Sequence, residues 1–132
     1  MRVIVISLLV LFTAGCSAKT IYLTPSISGQ LLDEKTNQPI VNQGNIFTMI
    51  KEDGSNIAKT DHEGNFYVEA IESKRISESI YRSRPTAITF DVTGYKIKRI
   101  NYNGYEVTPN TNSREIKTTL DLGKVYLKHI DD

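Results

Sequence analysis

Few side chains in this sequence belong to the types that carry out catalysis or bind metals. His62 and His129 are its only histidines, and Cys16 is its only cysteine. A zinc site would need both histidines together with carboxylates from distant strands. Hydroxyls such as those of Ser28 and Ser77 have no base beside them, and a nucleophilic triad would depend on the same two histidines. We therefore expect no catalytic residue, no metal ion and no cofactor in this chain.

One acidic segment has the alternating oxygen ligands with which calcium-binding loops open. Asp61, Glu63 and Asn65 alternate there, and Gly64 lies among them. A calcium loop of the EF-hand type needs further oxygen ligands and a closing glutamate, and Glu69 comes too early for that role. The segment therefore predicts a turn, in which Gly64 supplies the left-handed backbone conformation.

Tyrosines and basic residues are interleaved in two stretches of the chain. Tyr95, Tyr102 and Tyr105 belong to the first stretch, and Arg82 and Arg84 belong to the second. An aromatic and basic surface can bind sugars, anionic lipid headgroups or a partner protein. The alternation within 95–103 also fits the solvated face of a sheet, and this is the favoured interpretation because the chain has no tryptophan to stack on a sugar. These five residues form the candidate partner surface.

The composition is that of a single folded domain. The chain has 132 residues, of which 39% are apolar and 23% are charged, and this is enough for one modest core. Sixteen Lys and Arg oppose fifteen Asp and Glu, for a net charge of +1. This balance argues against a disordered chain and gives no electrostatic basis for binding nucleic acid. The length excludes a large enzyme.

The first fifteen residues have the composition of a secretory signal peptide. Arg2 precedes an apolar run at 3–12, and small residues follow at 13–15. This run is shorter than the roughly twenty residues that a permanent membrane-spanning helix needs. We therefore expect residues 1–15 to direct export, and any lasting membrane attachment to come from another group.

Cys16 lies where bacterial lipoproteins carry their lipidated cysteine. The preceding residues resemble the lipobox, although Thr13 replaces its usual leucine. The resemblance implies cleavage before Cys16 and attachment of acyl chains such as palmitate, which anchor a protein stably when two or more are present. Since Ser17 and not aspartate follows, it also implies the outer membrane, facing the periplasm. The alternative is an ordinary signal cleavage after Ala18, which leaves an exported chain without cysteine.

The remaining sequence predicts an all-β domain over 27–130, preceded by a lipidated N-terminus and tether over 16–26. Short runs rich in β-branched and aromatic residues are separated by turn residues at the spacing of a sandwich or barrel. The polar segment 72–84 predicts either one or two helical turns or a long loop, and 104–113 predicts a loop. The predicted strands are 27–32, 45–51, 56–60, 65–70, 86–92, 95–103 and 124–130, with an eighth candidate at 114–120.

Alternation of apolar residues within these strands predicts which side chains form the core. The turn at 51–56 is predicted to be a hairpin in which Gly54 has a positive φ. The predicted core residues are Ile27, Gly29, Leu31, Phe66, Val68, Ala70, Ile88, Phe90, Val92, Val125 and Leu127.

Several motifs follow one another in a fixed order along the predicted domain. A glycine-containing strand at 27–33 is followed by Thr-Asn-Gln-Pro-Ile at 36–40 and by Thr-Asp-His-Glu-Gly-Asn-Phe at 60–66. A Gly-Tyr pair in 88–96 and the segment 122–127 come later. Together these motifs resemble the carboxypeptidase regulatory-like domain. The resemblance implies a transthyretin-like (prealbumin-like) β-sandwich of seven to eight strands. Domains of this family serve as folding supports, stalks or binding modules without catalytic residues, so no site residue is carried over.

These observations predict a non-catalytic lipoprotein of the cell envelope, with one β-sandwich that acts as a binding or structural module. Its partners would be the membrane, through the lipid anchor, and an envelope protein. The first alternative is an accessory lipoprotein subunit of an envelope or secretion machine. The second is a hydrolase of envelope sugars or peptides. The hydroxyisourate hydrolases of the transthyretin fold end in Tyr-Arg-Gly-Ser, which is absent from this C-terminus.

Overall fold

The computed structural model describes residues 20–50, 54, 56–74 and 78–131. The predicted signal peptide, Cys16 and the first residues of the predicted tether lie outside this range, as do four residues of the predicted hairpin at 51–56. Within the described range, Gly54 and Gly64 have φ angles of 67° and 80°, as their predicted turn positions require.

The regular secondary structure of the described chain is almost entirely β-strand, which confirms the all-β prediction. One five-residue helix interrupts them. In the part of the chain that the structure describes, no helix is long and apolar enough to cross a membrane. The elements are β1 Ile21–Tyr22, β2 Ser26–Asp33, β3 Ile46–Phe47, β4 Asn65–Val68, β5 Glu72–Ser73, α1 Glu78–Arg82, β6 Ala87–Phe90, β7 Lys98–Asn101 and β8 Thr119–Leu127.

Strand β2 is the centre of a three-stranded sheet in the order β4-β2-β8. It runs antiparallel to β4 and parallel to β8, and its register with β8 shifts between Ser28 and Gln30. Gly29 lies at this shift because the strands approach closely there. A Cβ atom at Gly29 would lie 2.8 Å from the Gly123 carbonyl oxygen and 2.8 Å from the ring of Phe66. The glycine therefore allows the parallel pairing and the packing of Phe66.

A second three-stranded sheet, in the order β3-β6-β7, is antiparallel throughout. Side chains of both sheets meet in a single hydrophobic core that includes Ile27, Phe66, Ile88 and Leu127. The rings of Phe66 and Phe90 join the sheets edge to face, with centroids 5.2 Å apart. One shared core therefore holds the two sheets together.

The structure corrects the predicted tether at 16–26 in its described part. Ile21 is buried, β1 pairs with β5, and Ser26 is already the first residue of β2. The triplet Ile21, Tyr22 and Leu23 is apolar, so its burial is favourable. Strand β5, which follows β4 in the chain, pairs with it. The domain therefore begins before residue 27.

Several predicted strand limits also differ from the structure. The strand predicted at 56–60 is reduced to a single bridge between Ala58 and Ile46. The final strand begins at Thr119 and so includes the end of the candidate strand 114–120. Within 72–84, the structure has both a short strand, β5, and the helix α1. Local propensity places these elements, but their pairing partners decide their length.

The predicted core is confirmed at every position except Gly29, which is only half buried. Seven further apolar residues are buried at positions that the alternation does not predict. They are Ile21, Leu32, Ile40, Ile46, Ile71, Tyr102 and Leu120.

The core contact between the sheets can be tested at two neighbouring residues of β4. Phe66 is 3% exposed, whereas Tyr67 points outward and is 51% exposed. We expect Phe66→Ala to lower the free energy of unfolding by about 3–5 kcal/mol, because it removes a buried ring. Tyr67→Ala is the matched control and should cost less than about 1 kcal/mol. Equal losses in urea unfolding of the two variants would contradict this assignment of the core.

Candidate binding groove

An open groove lies at the end of the domain where β2 and β8 begin. Its volume is about 440 Å³. Four segments form its walls: the chain before β2, the end of α1 with the residues after it, the connection after β7, and the chain before β8. The residues that line it are Tyr22, Leu23, Thr24, Pro25, Tyr81, Arg84, Tyr102, Asn103, Tyr105, Val107, Thr111, Asn112, Ser113, Arg114, Ile116 and Thr118.

The ring of Tyr81 holds two arginines in this groove. The guanidinium carbons of Arg84 and Arg114 lie 4.0 and 3.7 Å from its centroid. Each contact is a cation–π interaction, in which the negative face of the ring offsets part of the cost of removing the cation from water. Since Arg84 and Arg114 are the only charged residues among the described lining, the groove is positively charged.

The two arginines differ in how their hydrogen-bond donors are used. Arg114 donates to the carboxylate of Glu78 at 2.9 Å, and Arg82 lies 3.8 Å from the other oxygen of that carboxylate. Arg84 donates to the carbonyl oxygen of Tyr81 at 2.9 Å. Within the described residues, this carbonyl is the only hydrogen-bond acceptor that Arg84 contacts. A guanidinium carries five N–H donors, so Arg84 keeps several donors for a ligand.

Tyr102 fixes the chain that carries Arg84. Its backbone N–H donates to the Thr86 carbonyl at 2.9 Å, and its hydroxyl donates to the Pro85 carbonyl at 2.7 Å. Burial raises the pKa of Tyr102 to about 12, so the hydroxyl remains protonated and donates this bond across the physiological range. These two bonds hold the residues that follow Arg84 against β7.

The structure brings together only part of the candidate partner surface. Tyr105 and Arg84 line the groove, and Arg82 lies beside it on α1 with its side chain 82% exposed. Tyr102 also borders the groove, but it is 8% exposed and belongs to the core, so it offers little surface to a partner. Tyr95 belongs to a different region of the domain and contacts residues at the other end of β2. The predicted lipidation site, Cys16, lies outside the described residues.

Two further groove residues, Tyr22 and Arg114, are not among the residues predicted from sequence. Tyr22 falls in the segment predicted to be a tether, and Arg114 falls in a candidate strand. The Tyr22 N–H donates to the Arg114 carbonyl at 2.8 Å, so the two segments lie side by side. The apolar triplet 21–23 could have indicated a folded segment. No local signal places Arg114 over Tyr81, since these residues lie far apart in the chain.

A second polar cluster lies at the opposite end of β2, around the carboxylate of Asp33. One oxygen accepts the backbone N–H groups of Lys35 and Thr36 at 2.8 and 3.1 Å. The other accepts the Tyr95 hydroxyl at 2.8 Å and contacts His129 Nε2 at 2.5 Å. The rings of Tyr95 and His129 stack with centroids 4.6 Å apart. The carboxylate therefore ties the end of β2 to the chain before β7 and the chain after β8.

The surroundings of Asp33 keep this carboxylate ionised. The hydrogen bond from the Thr36 amide, with those from Tyr95, Lys35 and His129, lowers the pKa of Asp33 to about 2. An ionised carboxylate only accepts hydrogen bonds, so Nε2 of His129 carries the hydrogen. Burial and this hydrogen bond raise the pKa of Tyr95 to about 12. Among the described residues, His129 has no hydrogen bond to a serine, threonine or cysteine, and the cluster acts as a structural tie.

The residues around Asp61 and His62, which the sequence analysis considered as metal ligands, form a surface turn. Asp61 accepts the backbone N–H groups of Glu63 and Asn65 at 2.9 and 2.8 Å, so its carboxylate closes the turn that the sequence predicts. His62 is exposed and lies 3.4 Å from Glu63. No cluster of three or more His, Cys, Asp or Glu side chains suited to a metal ion occurs in the described residues.

The Asp33 tie predicts a specific acid sensitivity. Because its pKa is lower in the folded chain than the ordinary value of 3.8, Asp33 stabilises the fold above about pH 4. This contribution is lost as the pH falls from about 4 to about 2. We expect Asp33→Asn to be less stable than the parent at pH 7, and to lose less stability between pH 5 and pH 2 in urea unfolding. Asp91→Asn, at an exposed aspartate, is the control and should keep the acid sensitivity of the parent. An unchanged acid slope in Asp33→Asn would contradict the role of the tie.

Comparison of the chain with models of known protein families, with curated proteins and with solved structures finds no match. The assignment of a function therefore depends on the chemistry of the groove and of the Asp33 tie. Of the two, the groove is the region where, as far as the described residues show, a guanidinium has donors without an acceptor, and it is the candidate functional site of this chain.

Proposed function

We propose that this chain is a non-catalytic lipoprotein of the cell envelope, anchored through Cys16, whose β-domain is a binding module. The observation that carries the proposal is the groove, where Arg84 is held on Tyr81 and, within the described residues, its side chain donates to one carbonyl oxygen. Its half-buried cationic groups and tyrosine rings suit the binding of an anionic group. The apolar N-terminal run and Cys16 support the export and lipid attachment of the domain.

We propose further that the two sheets form a β-sandwich of the transthyretin-like, carboxypeptidase regulatory-like type. The shared core and the edge-to-face contact of Phe66 with Phe90 support this architecture. In such an architecture the loops at each end of the sheets are the surfaces available for binding. The groove is formed by connections at one of these ends. The lipid anchor would place the domain in the periplasm, on the outer membrane.

The lipid anchor is tested by the intact mass of the mature protein extracted from membranes. We expect a chain that begins at Cys16 and carries added acyl mass. Cys16→Ser should lack this mass, because lipid attachment needs the thiol. Ser17→Ala keeps the thiol and is the matched control. A water-soluble mature chain that begins at Lys19 without acyl mass would reject the anchor.

A second candidate function is that of an accessory lipoprotein in an envelope machine, docked to a membrane protein through the segment 72–84. The observation in its favour is that Tyr81 and Arg84 of this segment line the groove. We expect an inner-membrane protein to co-purify with the parent and to be lost from Arg84→Gln, because the guanidinium would pair with an acidic group of the partner. The control is Arg99→Gln on β7, which should retain it. Co-purification that is equal in both variants would reject docking through the groove.

A further inference from the structure

We propose that the groove docks on the anionic phospholipid surface of the membrane that holds the lipid anchor, with Arg84 and Arg114 binding lipid phosphate groups. This inference rests on the proposed function in one respect, since the anchor at Cys16 is what brings the groove to the bilayer. It adds a second, non-covalent contact that orients the domain on the membrane.

The first argument is the length of chain between the anchor and the groove. Tyr22 lines the groove, and it lies six residues after Cys16. Six residues span at most about 22 Å when fully extended. Ile21 is buried and β1 is paired with β5, so the chain is already part of the domain where it reaches the groove. A lipid attached at Cys16 therefore keeps this end of the domain close to the headgroups.

The second argument is charge complementarity. The described lining of the groove contains Arg84 and Arg114 and no acidic residue, and Arg82 is exposed beside it. In the part of the chain that the structure describes, Glu78 is the one acidic group that pairs with Arg82 and Arg114, so the cluster there has a surplus of positive charge. Basic residues near an anionic leaflet are attracted to it over about a Debye length. The planar guanidinium groups also match the oxygen geometry of a phosphate.

The third argument is the apolar and aromatic surface around these cations. Tyr105 and Ile116 line the groove and are 50% and 46% exposed, and Ile80 on α1 is 41% exposed. Tyrosine is enriched at membrane interfaces because its ring is apolar and its hydroxyl is polar. Exposed isoleucines beside arginines are unfavourable in water and favourable against a lipid surface. This combination fits a bilayer surface better than a small soluble anion.

The docking is tested by amide hydrogen exchange of the acylated full-length mature protein in lipid vesicles. Vesicles of phosphatidylcholine hold the anchor without a surface charge, and vesicles with about 30% phosphatidylglycerol add anionic headgroups. We expect exchange at 78–84 and 102–118 to be several-fold slower in the anionic vesicles, and this difference to fall at about 0.5 M salt. Exchange in β2 and β8 should not change. Equal exchange at the groove in both vesicles would overturn the proposal.

Variants separate the guanidinium contacts from general effects of charge or folding. Arg84→Gln and Arg114→Gln should each reduce the slowing of exchange about fivefold. Arg84→Lys retains the charge and should retain part of the effect, which excludes misfolding as the cause. Arg99→Gln removes an exposed arginine of β7 and should behave as the parent. Full protection in the double glutamine variant would overturn the proposal.

Other occupants of the groove give different results in the same assay. Soluble glycerol phosphate is added to the protein held in neutral vesicles. If it slows exchange at the groove as much as anionic vesicles do, the groove binds a free phosphate. If a poly-glutamate peptide slows exchange at the groove and phosphatidylglycerol does not, the groove binds an acidic protein segment. Either result overturns membrane docking. If the chain is not acylated, flotation of the soluble protein with anionic vesicles still tests the groove, so failure of the anchor and failure of the docking are distinguishable.

Discussion

The parallel pairing of β2 with β8 is the constraint on which the rest of the structure depends. It joins the start of the described chain to its end, with Ser26 opposite Thr119 and Asp33 opposite Leu127. Strand β2 is thereby paired on both sides, and its apolar residues complete the shared core. Gly29 makes the pairing possible, because a side chain there would collide with Gly123 and Phe66. Both polar regions of the domain are positioned by the two ends of this pair, about 25 Å apart along the strand.

These two regions use their charged groups in opposite ways. The Asp33 carboxylate is buried and accepts four hydrogen bonds, as a buried charge must if it is to be tolerated. It therefore stabilises the fold and has no capacity left for a ligand. Arg84 is half buried on the ring of Tyr81 with one acceptor among the described residues. A cation that is positioned but incompletely paired is suited to binding, and this contrast distinguishes the groove from the tie.

The groove also illustrates how a nearly neutral chain can carry a local charge. Sixteen basic and fifteen acidic residues balance over the whole sequence, which argues against strong long-range attraction to anions. The fold nevertheless gathers Arg84 and Arg114 on the ring of Tyr81, and within the described residues Glu78 is the one carboxylate that pairs with Arg82 and Arg114. Local attraction over a few ångströms depends on this arrangement and not on the net charge. A short-range contact that is reinforced by a covalent anchor needs no large overall charge.

The sequence by itself determined the all-β class, most core positions and the turns at Gly54 and Gly64. These features depend on local rules, namely alternation along a strand and the conformational freedom of glycine. It also predicted Tyr102, Tyr105 and Arg84 as surface candidates, of which Tyr102 proves to be buried. Only the tertiary structure placed Arg114 and Tyr22 beside them and moved Tyr95 to the Asp33 tie. The reason is that pairing between β2 and β8 joins residues about ninety positions apart, and no local pattern encodes such a contact.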